Sequence, residues 1–249
     1  GDNPPEFLLT HPVTSSRVSD AFNAADQIEF SGGKKNTINF EFIKGRLKAR
    51  YNASSPQTAS RYFEKLYIDI PSHENKYAYI IALKANGQTL QALNLIDEIL
   101  KKFPKNLILN ITKSEILLSG QQLARAEQSI EKVLTISPGN YPASIIQSKI
   151  LSAKKEIIKA EEVLRDLLIK KNRDPSLWMQ LSEVQRAGKN IVGYHLSRGE
   201  YYLLIGDFEN ALNQFQFALR LSGNSFQASE TIITKIKFAQ ERLGNKRGF

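Results

Sequence analysis

The chain has 249 residues, of which 41% are hydrophobic and 24% charged, with a formal net charge of +9. That balance is ordinary for a folded globular chain and excludes wholesale disorder. The absence of cysteine excludes disulfides and thiol chemistry within it, and no apolar run reaches the roughly 20 residues that a membrane-spanning helix needs.

Residues 1–31 differ in kind from the rest. Arg17 stands against Asp2, Glu6, Asp20, Asp26 and Glu29, a net charge of −4. Gly1-Asp2-Asn3-Pro4-Pro5 has neither a starting methionine nor a signal segment, so the chain reads as a fragment of something longer. Phe7-Leu8-Leu9 is a short apolar run, broken by Thr10-His11-Pro12. Ser15-Ser16 then caps a predicted helix carrying Val18, Ala21, Phe22, Ala25 and Ile28. These residues read as the end of another domain, and 32–38, with Gly32-Gly33-Lys34-Lys35-Asn36, as a linker.

Residues 39–249 follow a different rule, a register of 34 residues. Ala92, Ala126 and Ala160 are successive steps of it, as are Ile96, Ile130 and Leu164, and Ile99, Val133 and Leu167. Pro104 and Pro138 close two units. The reason is steric: a small side chain where two antiparallel helices cross lets them approach, and large apolar residues four and seven positions later fill the seam. This is the pattern of a tetratricopeptide-repeat array. The predicted fold is all-α, a superhelix of about 12 antiparallel helices preceded by one helix from the end of another domain.

In chain order, a weaker front unit covers Asn39 to Pro71, with Tyr62, Phe63, Leu66 and Ile70 on the helix after Ser55-Pro56. Tyr79, Leu83, Gly87, Ala92, Ile96, Ile99 and Pro104 form the best unit; Ser114, Leu117, Gly120, Ala126, Ile130, Val133 and Pro138 form the next. The last match, Gly199, Tyr202, Gly206, Ala211, Phe215 and Ala218, lies 17 residues out of phase. A half-repeat is therefore expected near 175–191, opened by Asp174-Pro175 and carrying Trp178, Leu181, Val184 and Gln185. The helix that follows, Ile191 to Ile205, is expected to lack the usual second-helix partner, and the solenoid to kink or widen there. A capping helix after Gly223-Asn224 closes the stack.

First helices of such an array line its inner face, which receives extended peptides or partner helices. By repeat position Tyr77, Ile81 and Lys84 in one unit, and Ile111, Glu115 and Leu118 in the next, are the candidate protein-binding residues. The basic run Lys34, Lys35, Lys44, Arg46, Lys48 and Arg50 lacks the stacking aromatics of a nucleic-acid reader, because Phe40, Phe42 and Tyr51 fall at helix-core spacing. No nucleic-acid partner is expected. His73-Glu74-Asn75-Lys76-Tyr77 imitates a zinc-binding helix but has tyrosine where the second histidine must stand, and His195 reads as a packing or surface residue.

Leu8-Leu9-Thr10-His11-Pro12, with Arg17 and Val18 five and six residues after the proline, resembles the His-Pro element near the end of the catalytic domain of M48-type zinc metallopeptidases. In one branch, the bacterial periplasmic protease-chaperones of outer-membrane β-barrel assembly, a tetratricopeptide array follows that element. The resemblance implies a parent that is a zinc metalloendopeptidase in the periplasm, whose repeat region docks on its own catalytic domain and recruits outer-membrane proteins or their assembly machinery. It implies zinc in the parent, with His11 a regulatory fourth ligand and Arg17 the anchor of its loop. The His-Glu-x-x-His motif is absent from these residues, so no catalytic residue and no cofactor is expected within them. A stand-alone tetratricopeptide scaffold that binds a peptide or protein is the alternative.

Overall fold

The computed structural model describes residues 37–51, 55–223 and 226–247. Among them it forms twelve helices and no strand. They are α1 (Ile38–Tyr51), α2 (Pro56–Asp69), α3 (His73–Ala85), α4 (Thr89–Lys102), α5 (Leu107–Ser119), α6 (Leu123–Ile136), α7 (Tyr141–Ala153), α8 (Ile157–Lys170), α9 (Pro175–Ala187), α10 (Ile191–Leu204), α11 (Phe208–Leu221) and α12 (Phe226–Arg247). Local chemistry sets the boundaries. Ser72, Asn106, Asn140 and Asp174, spaced 34 apart, each accept a first-turn amide of α3, α5, α7 or α9, which satisfies donors that have no partner inside the helix.

The register is written in burial. Ala92, Ala126 and Ala160 are fully buried, as are Ile96, Ile130 and Leu164, and the third set, Ile99, Val133 and Leu167, is at most 8% exposed. Ser114 Oγ donates to the Ala126 carbonyl at 2.8 Å, and Ser148 Oγ to the Ala160 carbonyl at 3.0 Å. A small residue on the first helix thus meets the alanine twelve positions later on the second. The same pair recurs as Gly199 and Ala211, between α10 and α11, where the buried Phe215 ring lies directly over Gly199.

The turns carry the same period and then halve it. Residues with positive φ stand at Gly87, Gln121, Lys155 and Lys189, 34 apart, and then at Gly206 and Gly223, 17 apart; Gly139, at φ 69 between α6 and α7, lies outside this series. In five of these turns the next residue's amide bonds back five positions: Gln88 to Leu83, Gln122 to Leu117, Glu156 to Leu151, Asn190 to Gln185, Asp207 to Tyr202. This is the tight left-handed helix end. Up to α9 it alternates with a looser connection; at Lys189 and Gly206 two tight turns follow one another. Consequently α10 is not left without a partner, as the sequence suggested: it packs on both α9 and α11. Lys155, an exposed side chain at φ 68, has a Cβ where glycine is preferred. Lys155→Gly is expected to raise stability by about 0.5–1 kcal/mol, relief of left-handed strain exceeding the added chain entropy; urea denaturation reads it.

Candidate functional site

The six candidate residues do not form an open apolar strip. Tyr77 is fully buried and Ile111 is 7% exposed; Ile81 and Leu118 are half-buried. Lys84 and Glu115 hold each other, Nζ to Oε2 at 2.6 Å. A residue from the weaker front unit joins them. Arg46 of α1 reaches across α3 to α5, its Nη1 3.3 Å from Glu115 Oε1 and its Nη2 3.4 Å from Oε2. Nη2 also donates to Tyr77 Oη at 3.1 Å and to Thr112 Oγ1 at 2.9 Å.

The proton order of this network follows from what each group can give. Thr112 spends its single hydroxyl proton on the Ile108 carbonyl at 2.8 Å, so at the 2.6 Å contact the Tyr77 hydroxyl donates to Thr112 Oγ1. Arg46 then supplies both oxygens with a donor. Burial alone would push the Glu115 carboxyl up, but Lys84 and Arg46 outweigh it and hold it below the ordinary carboxylate range. Burial pushes the Tyr77 phenol up, against the opposing pull of Arg46. Burial works against the charge of Arg46 as well; Tyr77 and Glu115 more than offset it. The network holds α1, α3 and α5 together by charge-assisted bonds and leaves no nucleophile beside a general base.

Beside it opens a cleft of about 420 Å³ between α1, α2 and α3. Pro56, Ala59, Ile81 and Ala82 make its apolar lining, and Arg46, Arg50 and Lys84 its basic rim. Such a cleft can take a small apolar group next to a carboxylate. Of the predicted residues only Ile81 and Lys84 line it. Arg46 was visible in the sequence only as one of a basic run.

Within that run Lys44 and Lys48 both pair with Glu74, and Lys34 and Lys35 lie outside the described residues. His73 lies edge-on to Phe42 and Phe103, with Glu41 3.7 Å from its Nδ1. Among the described residues no three His, Asp or Glu side chains converge as a metal site. His195 takes Gln214 Oε1 at 2.8 Å and stacks on Phe217 at 5.2 Å. His11 and Arg17 lie outside the described residues, as does the predicted helix of 1–31.

A tetratricopeptide repeat protein from Parabacteroides merdae superposes with a TM-score of 0.50 at 16% identity, over 90% of this chain and 92% of that one. The described residues have the fold of a tetratricopeptide-repeat array. Human IFIT1, solved as a dimer with m7Gppp-AAAA, matches the array with a TM-score of 0.52, also at 16% identity, over 94% of this chain and 55% of that protein. At these identities the likeness concerns the fold alone. No protein-family model matches the array. In sequence it is 30% identical over 106 residues to the β-barrel assembly-enhancing protease of Yersinia pestis. The match covers 42% of the chain and 22% of that protease's length. Together with the repeat fold, it supports a tetratricopeptide region of such a protease. A repeat array of this kind suggests protein–protein interaction, and among the described residues no helix is long and apolar enough to cross a membrane.

Proposed function

We propose that this array is the protein-binding and regulatory arm of a periplasmic zinc metalloprotease acting in outer-membrane β-barrel assembly. It recruits protein substrates, outer-membrane proteins or their assembly machinery, and gates their access to the parent's own catalytic domain. The observation that carries this reading is the 30% identity over 106 residues to a β-barrel assembly-enhancing protease, joined to the His11-Pro12 leader that precedes the repeats. The cleft between α1, α2 and α3 is compatible with it, since its apolar lining and cationic rim can take an apolar side chain of a polypeptide beside a carboxylate.

Zinc belongs to the parent's catalytic unit, where it activates water. In this reading His11 approaches it as a fourth protein ligand and closes the position that water must occupy, and Arg17 anchors the loop. Two measurements test the reading. The gene's reading frame is expected to encode His-Glu-x-x-His upstream of Gly1; its absence overturns the protease assignment and leaves the stand-alone scaffold. In the full-length protein His11→Ala is expected to raise the cleavage rate of an unfolded outer-membrane protein, and an unchanged rate removes the regulatory ligand.

A further inference from the structure

The change of phase places an unusual set of side chains on α10. Where α6 and α8 bury Ala126, Ile130 and Val133, and Ala160, Leu164 and Leu167, the next step of 34 brings Tyr194, Arg198 and Tyr201. These do not enter the core, because α10 packs through other faces. Ser197 Oγ donates to Gln185 of α9 at 2.7 Å, and Gly199 lies under the Phe215 ring of α11. Tyr194, Arg198 and Tyr201 therefore form a half-buried stripe at helical spacing. Ile191, 45% exposed, and Ile205, 49% exposed, stand at its ends.

Arg198 is the feature that calls for a ligand. Its guanidinium lies 5.1 Å from the Tyr202 ring centre and 5.9 Å from that of Tyr194. Nη2 donates to Tyr202 Oη at 2.7 Å. Nη1 meets only the Met179 sulfur, at 3.6 Å, a weak acceptor, and the buried Nε has no partner. Among the described residues no carboxylate pairs with it, whereas the half-buried Arg46, Lys76, Lys84, Lys113 and Lys235 each have one. A partly desolvated cation between two tyrosine faces is thus left without its anion.

We infer that the α10 stripe around Arg198 binds an extended acidic segment of a protein partner. A side-chain carboxylate of that segment closes on Arg198, and its apolar or aromatic neighbours lie on Tyr194, Tyr201 and Ile205. Tyrosine and arginine carry most of the binding energy at such surfaces. A polyanionic strand fits less well, because it needs a row of free cations. Here Arg186 is paired with Glu183, Lys235 with Glu200, and Arg220 is stacked on Phe217. This deepens the reading of the array as a protein-binding surface and is independent of the protease.

The test uses the whole 249-residue chain and fluorescent peptides of alternating aspartate and tyrosine, their asparagine counterparts, and a single-stranded oligoadenylate RNA. Fluorescence polarisation is expected to show the acidic peptide binding at least about tenfold more tightly than the asparagine peptide, the worth of one charge-assisted pair. Arg198→Gln should abolish that preference, Arg198→Lys retain part of it, and the exposed Arg173→Gln leave it intact, with unchanged melting temperatures. Acidic and amide peptides binding Arg198→Gln as they bind the unaltered chain would overturn the site. If binding were instead lost with Ile81→Asp, protein binding would survive at the α1–α3 cleft. No binding of any peptide would overturn both, and RNA bound more tightly than every peptide would replace them.

Discussion

Glu115→Ala is expected to destabilise the N-terminal repeats by about 2–3 kcal/mol, measured by urea denaturation and by hydrogen exchange in α3 and α5. Glu115 is 16% exposed at the side chain and takes Arg46 on one side and Lys84 on the other. Removing it leaves two partly buried cations facing each other. Breaking a buried pair costs about 3–5 kcal/mol, and the 39% exposure of Arg46 lowers that range through solvent screening. The double variant Arg46→Met, Glu115→Ala should recover part of the loss, because one uncompensated charge has gone. If Glu115→Ala costs under about 0.5 kcal/mol, the level of an exposed pair, the network contributes little to stability.

The same network sets a pH dependence whose sign follows from the displaced ionisations. The Glu115 carboxyl is held below the ordinary carboxylate range by Lys84 and Arg46 against burial, so the unfolded chain binds its proton first. Its stabilisation is therefore complete above the ordinary range and fades as pH falls through the depressed value. The Tyr77 phenol is raised by burial, so its contribution is complete below the ordinary phenol value and is lost as pH rises. The acid limb of the stability curve should flatten in Glu115→Gln and the alkaline limb in Tyr77→Phe, with neither change moving the other limb.

The repeat was legible because its cause is local and recurs. One alanine at each crossing and large residues four and seven positions on follow from steric fit and return at the same step, and the structure adds a cap of the same period at Ser72, Asn106, Asn140 and Asp174. The site was not legible in the same way. Tyr77, Ile111 and Glu115 were placed by register, but register gives only the direction from the helix axis. Whether such a position is open depends on what lies opposite, and Arg46, 69 residues from Glu115 in the chain, comes from a helix outside the good repeats. The stripe on α10 was hidden for the converse reason. Its residues sit at the positions of a second helix; the out-of-phase match of Gly199 and Ala211 and the turns at Lys189 and Gly206 show that the helix no longer plays that part, but neither shows which side chains it leaves at the surface. His11 and Arg17 stand on the resemblance alone.

The close approach that lets Arg46 reach its partners rests on Gly45, and Gly45→Ala is expected to cost about 2–3 kcal/mol. In an exposed helix interior the same change stabilises by about 1 kcal/mol, since alanine loses less chain entropy and glycine is the poorer helix former. At Gly45 the sign reverses because the new Cβ would lie 2.5 Å from the Glu74 carbonyl oxygen and 3.2 Å from the Ala78 amide nitrogen. Both are backbone atoms of α3 and cannot turn aside as a side chain can, so α1 must move off α3 as a unit, an overpacking penalty. That displacement also strains the pairs of Lys44 and Lys48 with Glu74 and of Arg46 with Glu115. Gly244, on α12 with nothing within 4 Å of an added Cβ, supplies the opposite case: Gly244→Ala should raise the melting temperature where Gly45→Ala lowers it. Faster amide exchange confined to α1 and α3 in Gly45→Ala would locate the strain at the crossing. Two variants of like sign would mean that helix propensity, and not the contact of α1 with α3, governs this position.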